Sequence, residues 1–294
     1  MTLKQGLLTG DGVDVSGAVC FADLGYPPPA DTATARLLNA ASFRIAPHPP
    51  SGHKGTRGNV LLLGGTEGME GAGVLAGLAA LRGGAGKLFW AGGGANLERP
   101  PEFICLEAAA VPDALADMDV VVAGCGLGDT HDELLAELWQ SEKPLVLDAD
   151  GLRWLARTDA SPRTAPLIAT PHPGEAKGLL DAPDRFTALK ELQARFGGIW
   201  VLKGAGTLIS GAPPHLCPLA DGALGTAGMG DVLAGLIGGL WAQMPDETPE
   251  NAALAGVFTH AETARRRLAA NGGRGILASD LLGEIAALTG TLSR

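Results

Sequence analysis

From residue 59 onward, short apolar segments alternate with segments whose apolar residues recur at helical spacing. Several short segments, such as Val120–Ala123, are apolar throughout, which is typical of strands buried on both faces of a sheet. In Asp132–Trp139, by contrast, three leucines share one face and acidic residues occupy the other, as in a surface helix. This alternation predicts an α/β fold with a mostly parallel central sheet and helices on both faces.

The same pattern gives bounds for the individual elements. The predicted strands are Val60–Leu63, Leu88–Trp90, Phe103–Leu106, Val120–Ala123, Leu145–Leu147, Leu167–Ala169, Ile199–Leu202 and Thr207–Ile209. The predicted helices are Gly73–Arg82, Asp132–Trp139, Phe186–Phe196, Asp231–Trp241, Asn251–Ala269 and Ser279–Leu288. Parallel sheets bind ligands beyond the carboxyl ends of their strands, so we expect functional residues directly after the strands.

The first 52 residues lack this alternation. Residues 1–30 hold two short strand-like pieces and end in Pro27–Pro29, and residues 31–52 form a mixed segment that ends in three further prolines. Proline interrupts regular structure, so we predict an N-terminal extension with a linker over 1–52 and the α/β domain over 53–294.

Composition and charge narrow the class of protein. Hydrophobic residues make up 46% and charged residues 18% of the 294 residues, as in a compact globular protein. The formal net charge of −10 makes nucleic acid a poor partner. The chain has no uncharged apolar run of about 18 residues and no signal-peptide pattern, and none of its four cysteines forms a C-x-x-C pair. We therefore expect a soluble cytoplasmic protein.

The segment Gly225–Gly235 is the strongest candidate for chemistry. Small residues lead into an apolar helix that is predicted to start at or near Asp231. Free N–H groups at a helix N-terminus favour a phosphate group, and an aspartate beside that phosphate can take a proton from a substrate hydroxyl. Asp231 could instead be an N-cap, but a cap does not require the three nearby glycines.

Two further segments follow predicted strands. Thr170–Glu175 holds His172 between two prolines, and this histidine is either structural or directed at a ligand. Lys203–Thr207 places a lysine before two glycines, which suits a nucleotide phosphate and equally suits a hairpin turn.

Three smaller segments complete the set. In Gly64–Gly73, Gly71 and Gly73 with Ala76 match a G-x-G-x-x-A spacing, but no acidic residue follows the next strand, so we reject a Rossmann dehydrogenase. Gly124–Gly128 follows one strand, and Asp148–Gly151 follows the next. The two aspartates could hold magnesium or start a helix.

Together these segments resemble the ADP/ATP-dependent NAD(P)H-hydrate dehydratase family, which has a ribokinase-like fold. The resemblance runs from residue 53 to residue 281 and depends on the order and spacing of the set rather than on any one motif. The matching segments are His53–Gly58, Gly64–Ala72, Gly124–Gly128, Leu147–Asp150, Thr170–Glu175, Lys203–Thr207 and Ala227–Gly235.

The resemblance implies a reaction and a set of site residues. The enzyme would use ADP or ATP with Mg²⁺ to phosphorylate the C6 hydroxyl of the S form of hydrated NADH or NADPH, and phosphate would then leave. Asp231 would take the hydroxyl proton and contact the hydrate, and the family is often tetrameric. The other hydrate contacts would be Ala72, Gly126, Gly128 and His172. The nucleotide would be held by Lys203, Gly204, Ala205, Gly206, Thr207, Gly228 and Gly230. No residue is assigned to the metal.

Some positions depart from the family pattern. Met229 stands where the family usually has serine or threonine, and Cys125 stands where proline is common. Residues 1–30 resemble a different protein, the tail of an NAD(P)H-hydrate epimerase domain, in Leu3–Gly10 and Ala22–Pro28. We therefore expect a dehydratase half that lacks epimerase activity.

Two other functions would use the same glycine-rich turn. A small-alcohol kinase of the ribokinase superfamily, of the hydroxymethylpyrimidine or hydroxyethylthiazole type, would release its phosphorylated product. A non-catalytic nucleotide-binding protein would keep the fold as a scaffold. The His172 and Lys203 segments favour the dehydratase over the first, and Asp231 argues against the second.

Overall fold

A computed structural model describes residues 35–93, 99–219 and 221–293. The strands are β1 (Arg36–Leu37), β2 (Asn59–Leu63), β3 (Lys87–Ala91), β4 (Phe103–Leu106), β5 (Val120–Ala123), β6 (Leu145–Leu147), β7 (Leu167–Ala169), β8 (Ile199–Leu202), β9 (Thr207–Ile209) and β10 (His215–Cys217). The helices are α1 (Glu70–Gly83), α2 (Val111–Ala114), α3 (Asp132–Gln140), α4 (Ala149–Arg157), α5 (Pro173–Leu179), α6 (Arg185–Phe196), α7 (Met229–Ala242), α8 (Pro249–Ala270) and α9 (Asp280–Leu292).

The strands form one sheet in the order β1-β10-β9-β8-β7-β6-β5-β2-β3-β4. Only β9 runs against its neighbours, so the sheet is mostly parallel, as predicted. The adjacent strands β2, β5, β6, β7 and β8 therefore end at the same edge of the sheet. The loops that follow these strands lie side by side and can build one site.

Both faces of the sheet are covered. In β2, Leu61 and Leu63 pack on the face that carries α3 to α6, while Val60 and Leu62 pack on the face that carries α1, α7 and α8. All four side chains are at most 1% exposed. A third apolar cluster joins α9 to the outer surfaces of α1, α7 and α8. The continuous apolar runs of the central strands are the consequence of this two-sided burial.

The predicted elements agree closely with the observed ones. Six of the predicted strands have the predicted bounds, and the predicted ends of the helices differ from the observed ends by at most four residues. The prediction missed the short strands β1 and β10 and the helices α2, α4 and α5. Helix α5 was missed because it contains Pro173 and two glycines, yet proline is accommodated in the first turn, where its missing N–H costs nothing.

Helices α1 and α7 are in unusually close contact. A Cβ atom added at Gly235 would lie 1.9 Å from the Ala76 carbonyl oxygen, and one at Gly239 would lie 2.2 Å from the Ala80 carbonyl oxygen. The glycines of α7 and the alanines of α1 therefore allow the two backbones to touch. Helix α1 is a core helix of this chain, and its contact with α7 places the N-terminus of α7 beside the strand ends.

Part of the predicted linker packs on the domain. Strand β1 runs parallel to β10 at one edge of the sheet. Leu38 and Ile45 are 4% and 5% exposed, and Ile45 forms a bridge with Ser293. The boundary at residue 53 stays a prediction, and the segments that resemble the epimerase tail lie outside the described residues. In the described part of the chain, no helix is long and apolar enough to cross a membrane.

Candidate functional site

A cavity of about 780 Å³ opens where β6, β7 and β8 end and α7 begins. Most of the site residues expected from the sequence line it. These residues are His172, Lys203, Gly204, Ala205, Thr207, Gly228, Gly230 and Asp231. Residues that lie far apart in the sequence therefore meet in one cavity at the expected edge of the sheet.

The N-terminus of α7 forms one wall of the cavity. Its N-cap is Gly228, whose φ of 91° is left-handed and favours glycine, and the first helical hydrogen bond runs from the Val232 N–H to the Gly228 carbonyl. Within the described chain, the Gly230 and Asp231 amides donate to no backbone carbonyl. The capping interpretation of Asp231 is therefore wrong, because the residue lies in the first helical turn. Free amides and the helix dipole make this end of α7 suitable for an anion.

Burial and charge perturb the Asp231 carboxyl group. Burial raises its pKa, and the nearby Asp148 carboxylate raises it further. A hydrogen bond from the Cys125 thiol and the charge of Lys203 act in the opposite direction, but the pKa remains above its usual range. A carboxylate with a raised pKa is a stronger base than a solvated one, which suits proton abstraction from a hydroxyl.

Lys203 and Asp148 line the cavity and form an ion pair with each other. The Lys203 Nζ donates to Asp148 Oδ1 at 2.7 Å, and the two side chains are 18% and 2% exposed. Burial alone would lower the pKa of Lys203, but the Asp148 carboxylate outweighs burial and raises it. A Cβ atom at Gly230 would lie 3.1 Å from this Nζ. The lysine therefore holds its positive charge beside the free amides of α7.

Cys125, Asp148 and Asp231 are close enough to raise the question of a metal. Their ligand atoms all lie within 4.8 Å of one another, and no other such group of His, Cys, Asp and Glu occurs in the described part of the chain. However, the Lys203 ammonium group already neutralises Asp148. Burial also raises the pKa of the Cys125 thiol well above its usual value, so the sulfur stays protonated. The cluster is therefore not a ready-made set of metal ligands.

The turn after β8 is held from behind by Arg185. Its guanidinium group donates to the carbonyls of Leu202, Lys203, Ala205 and Gly206 at 2.8 to 3.3 Å. The turn is a hairpin between β8 and β9, as the sequence allowed, and it also lines the cavity. Gly206 is the exception among the predicted nucleotide contacts, because it does not line the cavity and its carbonyl accepts from Arg185.

His172 has a structural role at the edge of the cavity. It is the N-cap of α5, where its Nδ1 accepts from the Gly174 and Glu175 amides. The His172 amide in turn donates to the Glu175 carboxylate. Its side chain nevertheless remains 57% exposed and lines the cavity. The capping box fixes the backbone of this residue, so its ring is presented from a rigid base.

The remaining predicted hydrate contacts lie in the first turn of α1 and in the loop after β5. A Cβ atom at Gly126 would lie 3.0 Å from the Ala72 Cβ, and the Gly128 amide donates to Asp150 Oδ2 at 2.8 Å. Ala72, Gly126 and Gly128 do not line the described cavity. Asp150 also forms a salt bridge with Arg153, so this aspartate orients the Gly128 loop.

Several cavity features carried no signal in the sequence. His260 lies inside the long helix α8, and its Nε2 is buried without a hydrogen-bond partner among the described residues. Burial lowers the pKa of this histidine to about 4, so the ring is neutral near neutral pH. Arg185 and Cys125 likewise carried no signal, because each contacts residues that are remote in the sequence. The cavity also has an apolar part of its lining, formed by Cys217, Leu219, Leu224, Leu233, Val257 and Ala261.

Comparison with known proteins identifies the group that this chain resembles. The family model described as NAD(P)H-hydrate dehydratase matches residues 60–287. The ADP-dependent (S)-NAD(P)H-hydrate dehydratase of Neisseria meningitidis is 40% identical over 262 residues, which cover 80% of this chain and 84% of that protein. The bifunctional NAD(P)H-hydrate repair enzyme Nnr of Coxiella burnetii is 41% identical over 252 residues, which cover 78% of this chain. The chain spans only 50% of the length of that bifunctional protein.

The fold also matches a solved structure. The ADP/ATP-dependent NAD(P)H-hydrate dehydratase of Bacillus subtilis, co-crystallised with ATP and Mg²⁺, superposes with a TM-score of 0.72 at 28% identity. The match covers 87% of this chain and 99% of the Bacillus subtilis chain. The α/β architecture expected from the sequence, with its ribokinase-like topology, is thereby confirmed.

Proposed function

Because the chain belongs to the NAD(P)H-hydrate dehydratase family, we propose that it uses ADP or ATP to dehydrate the S form of hydrated NADH or NADPH. The products are the reduced dinucleotide, phosphate, and AMP or ADP. The observation that carries this proposal is the position of Asp231. A partly buried carboxylate with a raised pKa lies in the first turn of α7, beside two free amides and the Lys203 ammonium group.

Asp231 acts as the general base in this proposal. It takes the proton of the C6 hydroxyl, and the oxygen attacks the terminal phosphorus atom of the nucleotide. AMP leaves from ADP, or ADP leaves from ATP. The ring nitrogen then expels phosphate from C6, and loss of a proton from C5 restores the ring double bond. Phosphorylation thus converts a poor leaving group into a good one.

The two chemical regions of the cavity fit the two parts of a nucleotide. The α7 amides and the Lys203 charge suit the transferred phosphoryl group, whose three equatorial oxygens carry negative charge during transfer. The apolar lining suits a purine ring, and His260 adds a neutral imidazole to the cavity wall. The turn at residues 203–207 then holds the AMP part, and Gly206 acts through the shape of the turn.

The hydrate approaches from the side of Ala72, Gly126 and Gly128. In this proposal these three residues and His172 border the nicotinamide, which places the C6 hydroxyl between Asp231 and the terminal phosphate. The short side chains leave room for a flat ring. A bulkier residue at Gly126 would meet Ala72 at once, since a Cβ atom there lies 3.0 Å from the Ala72 Cβ.

The proposal includes Mg²⁺, which would bind together with the nucleotide phosphates. When bound, it neutralises phosphate charge and makes the terminal phosphorus atom easier to attack. Mg²⁺ prefers oxygen ligands and retains several waters. Since Asp148 is already paired with Lys203, no residue of this chain is assigned to the metal, which would be held mainly through the nucleotide.

The test measures the absorbance band of reduced nicotinamide after hydrated NADH is mixed with the protein and ADP or ATP. Recovery of the band with a matching release of phosphate is the expected result, and Asp231→Asn is the control. A small-alcohol kinase would instead consume nucleotide with a hydroxymethylpyrimidine or hydroxyethylthiazole and keep the phosphate on the product. A non-catalytic nucleotide-binding protein would bind ADP and release nothing.

We also propose that the protein assembles as a homotetramer, and light scattering on the purified protein tests this directly.

A further inference from the structure

The turn that follows β5 holds Cys125 in a fixed position. The Gly65 amide donates to the Cys125 carbonyl at 2.7 Å, and the Asp150 amide donates to the Gly124 carbonyl at 3.1 Å. A Cβ atom at Gly124, whose φ is 112°, would lie 1.9 Å from the Asp148 carbonyl oxygen. Backbone contacts on both sides therefore leave the Cys125 side chain little freedom to move.

The Cys125 side chain points into the carboxylate cluster and not into solvent. It is 0% exposed, and its Sγ lies within 4.8 Å of a carboxylate oxygen of both Asp148 and Asp231. Asp148 already accepts from Lys203, whereas Asp231 has the cavity on its other side. The thiol is thus a fully buried donor group close to Asp231.

We propose that Cys125 is a positioning residue, whose thiol proton is donated to the Asp231 carboxylate and holds that carboxylate towards the free amides of α7. The inference rests on the proposed role of Asp231 as the base. It adds a donor that comes from a different strand end and is specific to a chain with cysteine at this position.

The proposal has a measurable electrostatic consequence. Burial keeps the thiol protonated, so it can donate and cannot compete as an anion. A hydrogen bond to a carboxylate favours its ionised form and lowers its pKa. Loss of the thiol should therefore raise the pKa of Asp231 and move the acidic limb of the rate profile to higher pH.

The experiment compares Cys125→Ala, which removes the donor, with Cys125→Ser, which retains one. Cys105→Ala is the control, because Cys105 is exposed on β4. Carbon-13 NMR of the aspartate carboxyl groups of the full chain gives the pKa, and the Asp231 signal is identified by its absence in Asp231→Asn. We expect Cys125→Ala to raise the pKa of Asp231 by about half a pH unit or more. Cys125→Ser and Cys105→Ala should not raise it.

Turnover provides the second readout. The acidic limb of kcat should move with the NMR pKa in Cys125→Ala, while the nucleotide KM stays near that of the unmodified protein. An unchanged Asp231 pKa in a folded Cys125→Ala variant would overturn the proposal and leave Cys125 as a packing residue. If that variant does not fold, Cys125→Val removes the donor while leaving no cavity, with the same expected rise and the same overturning result.

The two readouts separate this inference from the proposed function. The NMR titration does not require turnover. A raised pKa in a protein that never restores reduced nicotinamide would support the contact and refute the reaction. Normal dehydration with an unchanged pKa would support the reaction and refute the contact.

Discussion

The Lys203 ammonium group lies 2.7 Å from the Asp148 carboxylate, and this ion pair joins the ends of two strands, β8 and β6, that are not adjacent in the sheet. The partners are 55 residues apart in the sequence. Asp148 is almost fully buried, so its charge depends on the lysine for compensation. One contact therefore both stabilises the strand ends and supplies a positive charge beside the α7 amides.

Replacing the lysine tests this dual role. Lys203→Met should lower the free energy of unfolding by about 3–5 kcal/mol, because it leaves a buried carboxylate without a partner. It should also weaken ADP binding. Urea unfolding and calorimetric titration measure the two effects.

The double variant Lys203→Met with Asp148→Asn is the matched control. Removal of both charges should recover most of the lost stability but not the nucleotide affinity, since the proposal assigns the attraction of the phosphates to the positive charge of the lysine. Stability losses that simply add would contradict the ion-pair interpretation.

Asp231→Asn should separate activity from stability. Loss of the general base should reduce kcat by about 10²–10⁴-fold, or more if phosphoryl transfer fails entirely. The nucleotide should still bind, because the α7 amides and Lys203 remain. A variant that dehydrates the hydrate at the unmodified rate would exclude Asp231 as the base.

Because the pKa of Asp231 is raised, the difference in stability between Asp231→Asn and the unmodified protein should depend on pH. The folded pKa lies above the unfolded value, so protonated Asp231 favours the fold and that contribution is lost as the pH rises through the folded pKa. Asp231→Asn should therefore have a higher Tm than the unmodified protein near pH 8, and the gap should shrink towards pH values of about 4. A gap that widens on acidification would show that the pKa is lowered.

Arg185→Ala should affect the nucleotide more than the chemistry. The guanidinium group supports four carbonyls of the turn after β8, and its removal lets the turn move away from the cavity. We expect the nucleotide KM to rise about tenfold or more while kcat changes less.

The same helix supplies a control for Arg185→Ala. Arg195 donates to the Leu179 carbonyl at 3.1 Å and does not line the cavity. Arg195→Ala should leave the nucleotide KM unchanged. Equal effects of the two substitutions would assign both arginines to stability alone.

Gly230→Ala should obstruct the phosphate turn without unfolding the protein. The added Cβ would lie 3.1 Å from Lys203 Nζ, the mobile end of a long side chain, so the lysine can move aside. We expect the free energy of unfolding to change by less than about 1 kcal/mol and nucleotide affinity to fall about tenfold.

Gly283→Ala on α9 is the comparison for Gly230→Ala. No heavy atom outside the helix lies within 4 Å of its added Cβ, and alanine is the better helix former, so stability should rise by about 0.5–1 kcal/mol with unchanged affinity. If Gly230→Ala binds nucleotide as tightly as Gly283→Ala, the α7 N-terminus does not hold the phosphate.

Two truncations test the predicted domain boundary. A chain that starts at residue 35 keeps β1, Leu38 and Ile45, whereas a chain that starts at residue 53 loses two buried side chains worth about 1.5–3 kcal/mol each. We expect the shorter chain to have the lower Tm in a thermal scan. Equal Tm values would support residue 53 as the true start of the domain.

The central strands, the long helices and the position of the phosphate turn could be predicted from local sequence alone. Central strands such as β5 are buried on both faces, so their local composition is enough to reveal them. The phosphate turn at Gly225–Gly235 could also be predicted from local sequence, because its small residues lead directly into an apolar helix. Short or mixed elements carried no such signal, and strand β1 was therefore missed.

The interactions between the site residues, in contrast, are visible only in the folded chain. The pairing of Lys203 with Asp148, the support of a turn by Arg185 and the approach of Cys125 to Asp231 join residues from different strand ends or helices. Each depends on distances between segments that are remote in the sequence, and no local pattern encodes such distances. The physical reason is that periodicity reports which face of an element is buried, whereas pKa values and hydrogen bonds depend on what lies across from it.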